Sequence, residues 1–256
     1  CSGDGARILM DTNPADPAHW LKTDYIDKAD GKTIVQYPWR LDDNTFLSER
    51  YRQNIKTSTP SGMFYDRDIN GAWVSADGAV YPDFDEKVHY ISADKVPIDE
   101  ISRWFVGVDF GWEHWGAFVL IGRTEDGRYY LTHEWAAQHR HIDNWIKVGQ
   151  SIKDQYGNID FYCDSARPDL IQQMRINRLR AINARKDVLA GIAEVASLYK
   201  QKRLFIVREN VRRFPHEIYS YVWKKGTDEP VKIDDDVQDA IRYGIYSDKK
   251  YGRGSF

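Results

Sequence analysis

The sequence predicts an α/β fold, with a mixed central sheet flanked by helices over residues 101–256 and a smaller α/β segment before it. Three observations predict this. Apolar runs at 103–109, 117–122 and 128–135 follow one another with only turn signals between them, as in a meander. Further short apolar runs at 159–164 and 203–207 alternate with stretches of helical periodicity. Two of these runs end on a carboxylate, Asp109 and Asp164, so that acidic groups terminate buried strands.

Taken in order, Arg7-Ile8-Leu9-Met10 reads as a strand, and Pro17 through Lys28 as a helix with Trp20 and Leu21 on its apolar face. Asn44 or Thr45 is placed to cap a helix reaching about Lys56, and a second helical stretch reaches Gly71. Ala72–Val74 and Gly78–Tyr81 read as a short hairpin, and Asp94–Glu100, with Pro97, as a linker. The domain boundary is expected near residue 100. The meander follows, turned at Glu125-Asp126-Gly127. Helices are expected at 142–155, from Pro168 to about Arg180, at 188–199, from Phe214, and from within Asp234–Val237 to about Ser247. The second half then reads β-β-β-α-β-α-α-β-α-α.

The 256 residues suffice for one large or two small domains. Charged residues make up 29%, as in a soluble globular chain, and no apolar run approaches the roughly 20 residues that span a bilayer. The start Cys1-Ser2-Gly3, without Met, reads as part of a longer chain. Two cysteines, Cys1 and Cys163, make no disulfide framework, which fits a reducing cytoplasm; Cys163 reads as a small core residue. The net charge of −3 is uninformative, but Arg175–Lys225 carries 13 Lys and Arg against 4 Asp and Glu. A basic segment in an otherwise acidic chain suggests a polyanionic partner. Gly31-Lys32-Thr33 is rejected as a phosphate loop, because Ile26 stands where that motif needs its first glycine and no strand precedes it.

An ionised Asp at the end of an apolar run is costly without a partner. Asp109 is therefore expected either in a hydrogen-bonded turn or on a cation. Asp164 and the cluster Asp234-Asp235-Asp236, with Asp239 in the last helix, make the cation attractive. Carboxylates of this kind suit Mg²⁺ or Mn²⁺. The element order is the one expected of a ribonuclease H-like fold. There the first and fourth strands lie side by side, and the last helix brings Asp236 and Asp239, three apart on one face, beside Asp109 and Asp164.

Gly107-Val108-Asp109-Phe110-Gly111, Tyr162-Cys163-Asp164-Ser165-Ala166 and Asp236-Val237-Gln238-Asp239-Ala240-Ile241-Arg242-Tyr243 together resemble the nuclease part of tailed-phage DNA-packaging terminase large subunits. The Asp-Ala-x-Arg-Tyr close is the most specific of the three. Lys186 before an apolar helix with Gly191-Ile192 is also similar, and Thr12-Asn13-Pro14 resembles the coupling motif at the end of that family's ATPase domain. The resemblance implies that residues 1–100 are the C-terminal remnant of the ATPase domain and 101–256 a nuclease domain. It implies a metal-dependent endonuclease that cuts concatemeric viral DNA during packaging in the host bacterial cytoplasm. Two Mg²⁺ or Mn²⁺ ions would be held by the catalytic Asp109, Asp164 and Asp239, with Asp236 a further ligand. Many relatives carry Asn-His where Asp235-Asp236 stand here, so Asp236 either replaces that His or leaves Asp239 to bind alone. Arg180, Arg185 and Lys186 are candidates for contacting double-stranded DNA. The full-length protein would engage portal, small terminase subunit and ATP, with no membrane.

Other readings stay open. Asp109-Phe110-Gly111 between strands also resembles the first phosphate motif of sugar kinases and actin-like ATPases, although no second such motif follows. A transposase or junction resolvase would use the same acidic triad. A DNA-binding module would use the acids only as caps, and Asp234 and Asp235 suit the N-terminus of a helix.

Overall fold

The structure, a computed structural model, describes residues 7–251. The N-terminal part is irregular. Arg7–Met10 form no strand, and Ile8, Leu9 and Met10 are exposed. The expected long helix is a single turn, α1 (Trp20–Asp24), followed by a 3₁₀ turn at Ile26–Lys28. Gly31-Lys32-Thr33 is a loop in which the Asp30 carboxylate accepts from the backbone N–H groups of Lys32, Thr33 and Ile34. Helix α2 (Glu49–Ser58) is capped by Ser48, whose hydroxyl accepts from Tyr51 N, rather than by Asn44 or Thr45. Helices α3 (Met63–Asp68) and α4 (Glu86–His89) and strand β1 (Tyr90–Ile91) lead into the sheet.

The remaining elements are β2 (Ile101–Asp109), β3 (Gly116–Thr124), β4 (Tyr129–Ala137), α5 (Ile142–Tyr156), β5 (Asp160–Cys163), α6 (Pro168–Ile176), β6 (Arg180–Asn183), α7 (Val188–Lys200), β7 (Leu204–Val207), α8 (Phe214–Ser220) and α9 (Asp236–Tyr251). They build a seven-stranded mixed sheet in the order β1-β7-β4-β3-β2-β5-β6. The meander β2–β3–β4 is antiparallel, and the strands added on either side are parallel to their neighbours.

Alternation along the strands explains the layers, because successive side chains point to opposite faces. On one face Phe105, Val119, Ile121 and Tyr162 pack with Ile192 and Val195 of α7 and Val237, Ala240 and Ile241 of α9. On the other, Val106, Val108, Phe118, Leu120 and Phe161 pack with Trp145, Ile146 and Ile152 of α5 and Ile171 and Met174 of α6. Each such fully buried large side chain contributes about 1.5–3 kcal/mol. Cys163 is a buried core residue of this second face, and burial pushes its thiol pKa far up.

Two further expectations are corrected. The helix expected to run from Pro168 to Arg180 stops at Ile176, because Arg178 takes a left-handed conformation (φ 60°) and Leu179 N–H returns to Met174 O. The chain released there forms the edge strand β6. The hairpin expected at 72–81 does not form either. Val80 N–H instead donates to Tyr221 O, and Trp223 N–H to Gly78 O, so the partner of this segment lies some 140 residues away in sequence.

The far end of the sheet is tied by charge. Asp248 of α9, fully buried, accepts from Arg103 of β2 (2.5 Å) and Arg123 of β3 (2.6 Å). Arg103 also reaches Asp160 at the start of β5 (2.7 Å). Replacing Asp248 by Asn takes the shared carboxylate from two mostly buried arginines, Arg103 and Arg123. Chemical denaturation should then show a loss of about 3 kcal/mol, and a change below 1 kcal/mol would mean that water replaces the carboxylate without cost.

Candidate active site

Strands β2 and β5 run parallel with Val108 opposite Cys163, and Asp164 N–H donates to Val108 O (3.0 Å). This register brings Asp109 and Asp164 out side by side at the same sheet end. Helix α9 crosses β2 so closely that a Cβ on Gly107 would lie 1.9 Å from Ala240 O. That crossing sets Asp239, one residue before Ala240, beside the two strand ends, with Asp236 one turn earlier.

The Asp109 carboxylate is partly buried and, among the described residues, receives no hydrogen bond or ion pair. Burial pushes its pKa well above the usual carboxylate range, and the charges of Asp239, Asp164, Asp236 and Asp235 push it further. Asp236, 9% exposed, is pushed up to about 6 by burial and by Asp235. Asp239 behaves oppositely. Burial raises its pKa, but Arg242 (2.9 Å) and Lys232 (2.8 Å) outweigh burial and hold it below the ordinary value. Asp164 is paired with Lys186 (2.5 Å), and its Oδ1 also accepts from Ala166 N (3.1 Å).

The charges of Asp164, Asp235, Asp236 and Asp239 thus all bear on Asp109, which has no partner among the described residues. This all-oxygen donor set suits a hard divalent cation. Among the described residues, however, no three His, Cys, Asp or Glu side chains are drawn onto one centre. The reason is visible in the ion pairs: Lys186 holds Asp164, while Lys232 and Arg242 hold Asp239.

Other expected site residues are placed differently. Arg180 opens β6 at the opposite end of the sheet and pairs with Asp160 (2.8 Å), so it is not brought to the carboxylates. Arg185 lies near the site side of β6, its backbone N–H donating to Ser247 Oγ (2.9 Å). Asp234 and Asp235 do not cap α9. Asp234, in a left-handed conformation (φ 53°), pairs with Arg213, and Asp235 pairs with Lys232 (2.9 Å). The cap is Glu217 of α8, fully buried, whose Oε2 accepts from Val237 N (2.8 Å) and Gln238 N (3.1 Å). Burial raises its pKa to about 7. Glu134 of β4 caps α8 by accepting from the backbone N–H groups of Arg213 (2.8 Å) and Phe214 (2.9 Å).

Sequence reasoning gives Lys232 no place in the site and reads Arg242 only as part of the closing motif. Arg242 is legible as the residue three after Asp239, on the same helical face. Lys232 has no such signal.

No protein-family model and no curated protein matches this chain. Solved structures do. The large terminase of a thermophilic bacteriophage superposes with a TM-score of 0.85 and 29% sequence identity, covering 97% of this chain and 64% of that one. The chain therefore spans somewhat under two thirds of that protein's length. The P22 large terminase nuclease domain matches with a TM-score of 0.58 at 20% identity, over 68% of this chain and 93% of that one. The nuclease domain of the bacteriophage SPP1 large terminase, solved with bound Mn, gives 0.53 at 17% identity, over 63% of this chain and 95% of that one. This chain resembles a phage large terminase over nearly its whole length, and its sheet-bearing half has the ribonuclease H-like fold of the terminase nuclease domains.

Proposed function

We propose that this chain is the nuclease part of a terminase large subunit, a metal-dependent endonuclease that cuts concatemeric viral DNA during packaging in the host bacterial cytoplasm. The observation that carries this reading is the convergence of Asp109, Asp164 and Asp239 at one sheet end, in a chain 29% identical to the thermophilic-phage large terminase over 97% of its length. Residues 101–256 would be the nuclease domain and 1–100 the end of the ATPase domain. That phage protein was solved with ATP-γ-S and with ADP, which supports ATP as a partner of the whole protein, alongside portal and small subunit.

Asp109, Asp164 and Asp239, with Asp236, would hold two Mg²⁺ or Mn²⁺ ions; the SPP1 domain of the same fold was solved with Mn. The chemistry such ions supply when bound is activation of a water and stabilisation of the departing 3′ oxygen in phosphodiester hydrolysis. The chain's own residues do the rest. Asp109, without a competing partner, is the carboxylate most ready to accept a cation. Arg242, 1% exposed, fixes Asp239 from behind and keeps it ionised. Glu217 fixes the first turn of α9 and so the positions of Asp236 and Asp239. Lys186, paired with Asp164, would contact a backbone phosphate of double-stranded DNA. Contacts of this kind position the duplex without reading its sequence.

The test is cleavage of supercoiled plasmid by the purified chain in Mg²⁺, Mn²⁺ or EDTA. Nicking and linearisation in metal but not in EDTA are expected, with no strand transfer and no preference for branched DNA. A folded protein that binds Mn²⁺ and DNA yet cuts neither strand would instead be a binding module.

A further inference from the structure

We infer that Lys232 is a resident counter-cation of the acidic site. It holds Asp235 and Asp239 while no divalent ion is bound and must leave them for one to enter. This rests on the metal-binding reading above.

The geometry is specific. Lys232 Nζ lies 2.9 Å from Asp235 Oδ2 and 2.8 Å from Asp239 Oδ2. Arg242 takes Asp239 Oδ1, and Lys232 takes Oδ2, to which the Tyr243 hydroxyl also donates at 3.5 Å. Asp109 charges against the same Asp239 carboxylate and has no cation of its own.

The backbone that presents Lys232 is anchored, while its side chain is open to solvent. Val231 N–H donates to Val222 O (2.9 Å), and Trp223 bridges to Pro230. Two residues before Pro230, Asp228 receives the Arg67 guanidinium in two bonds, of 2.7 and 2.8 Å. The Lys232 side chain is nevertheless 57% exposed, against 2% for Arg242. A long ammonium arm at a half-open position can swing to solvent or to a DNA phosphate; a buried guanidinium cannot. The two cations on Asp239 therefore differ in kind: Arg242 is a fixed brace, and Lys232 an exchangeable one.

Removing the exchangeable charge should favour the divalent ion, and strengthening it should do the reverse. In Lys232→Met the Mn²⁺ dissociation constant, measured by calorimetry on the whole chain, is expected to fall about ten-fold, the scale on which one adjacent unit charge biases a carboxylate. The variant should also melt lower than wild type in EDTA, since two carboxylates lose a partner, and recover more on adding Mn²⁺. Lys232→Arg, able to bridge both carboxylates with a planar fork, should weaken Mn²⁺ binding instead. Equal or weaker Mn²⁺ binding by Lys232→Met, beside a wild type that binds the ion, would overturn the role of Lys232 and leave the metal site standing. Absence of Mn²⁺ binding in both wild type and Lys232→Met would overturn the metal site itself and this exchange with it. Binding only in Lys232→Met would support the exchange in its strongest form.

Discussion

Asp109→Asn is expected to lower metal-dependent plasmid cleavage about 1,000-fold while making the metal-free protein more stable than wild type. The two effects have one cause. Asp109 ends a buried strand with no partner among the described residues and feels the charges of Asp239, Asp164, Asp236 and Asp235, so its ionised form is disfavoured in the folded state. An amide there removes the repulsion and also the best free oxygen donor for a cation. Losing charge stabilisation worth about 4 kcal/mol at the reacting phosphate corresponds to that factor in rate.

The pH dependence follows with a definite sign. Asp109 and Asp236 have raised folded-state values, Asp236 to about 6, and Glu217 to about 7. Between the unfolded carboxyl value near 4 and these raised values, the folded protein retains protons that the unfolded chain has released. Stability contributed by these groups is therefore fully present below about pH 4 and is lost as pH rises through their folded values. Asp239, held low by Arg242 and Lys232, works the other way, contributing stability that is lost only in acid. Melting temperature in EDTA should thus fall between about pH 5 and pH 8. Mn²⁺ at 100 times its dissociation constant should add about 2.7 kcal/mol at the upper end of that range. The gain should be small at low pH, where protons compete for the same oxygens. Asp109→Asn should show neither the full decline nor the metal gain. Parallel melting profiles with and without Mn²⁺ would mean that the carboxylates are structural.

The parts of the site that the sequence discloses are those whose signal is local. Asp109 and Asp164 are legible as candidates because each terminates an apolar run, where a carboxylate needs a partner. Asp239 is legible through the three-residue spacing that puts it on one face of the last helix with Asp236 and Arg242. The meander and its parallel partner strand are legible because their apolar runs are continuous. What stays hidden depends on contacts between distant segments. Glu217 caps α9 from 20 residues away, and Lys232 reaches Asp239 from a loop held by Arg67, so neither follows from periodicity. The acids Asp234 and Asp235 suggest a self-capped helix, but a buried Glu from α8 takes that role. Strand β6 escapes the sequence because four residues, Arg180–Asn183, are too few to show alternation, and they pair on one side only. Arg180 reads as the end of a helix for the same reason: without β6, nothing fixes which end of the sheet it occupies.

Gly107→Ala is expected to destabilise the fold by more than about 3 kcal/mol and to abolish cleavage by whatever folds. The contact is backbone against backbone. A methyl group at Gly107 would stand 1.9 Å from Ala240 O, 2.9 Å from Ala240 C and 3.1 Å from Gly244 N. Gly244 answers from the helix side, where its own Cβ would lie 3.2 Å from Gly107 Cα. Neither chain can yield locally, because β2 is hydrogen-bonded on both edges and α9 is braced at its far end by Asp248. The helix must move outward as a body, and Asp239, adjacent to Ala240, moves with it away from Asp109. Gly149→Ala is the control. It lies in a sheet-facing helix too, but its methyl would meet the tip of Leu179 at 2.6 Å, a side chain that can rotate aside. The better helix propensity of Ala, worth about 0.5–1 kcal/mol, offsets that adjustment. Chemical denaturation and plasmid cleavage by both variants separate the two kinds of contact. A Gly107→Ala protein of wild-type stability that still cuts would show that Asp239 does not depend on the glycine crossing for its place beside Asp109.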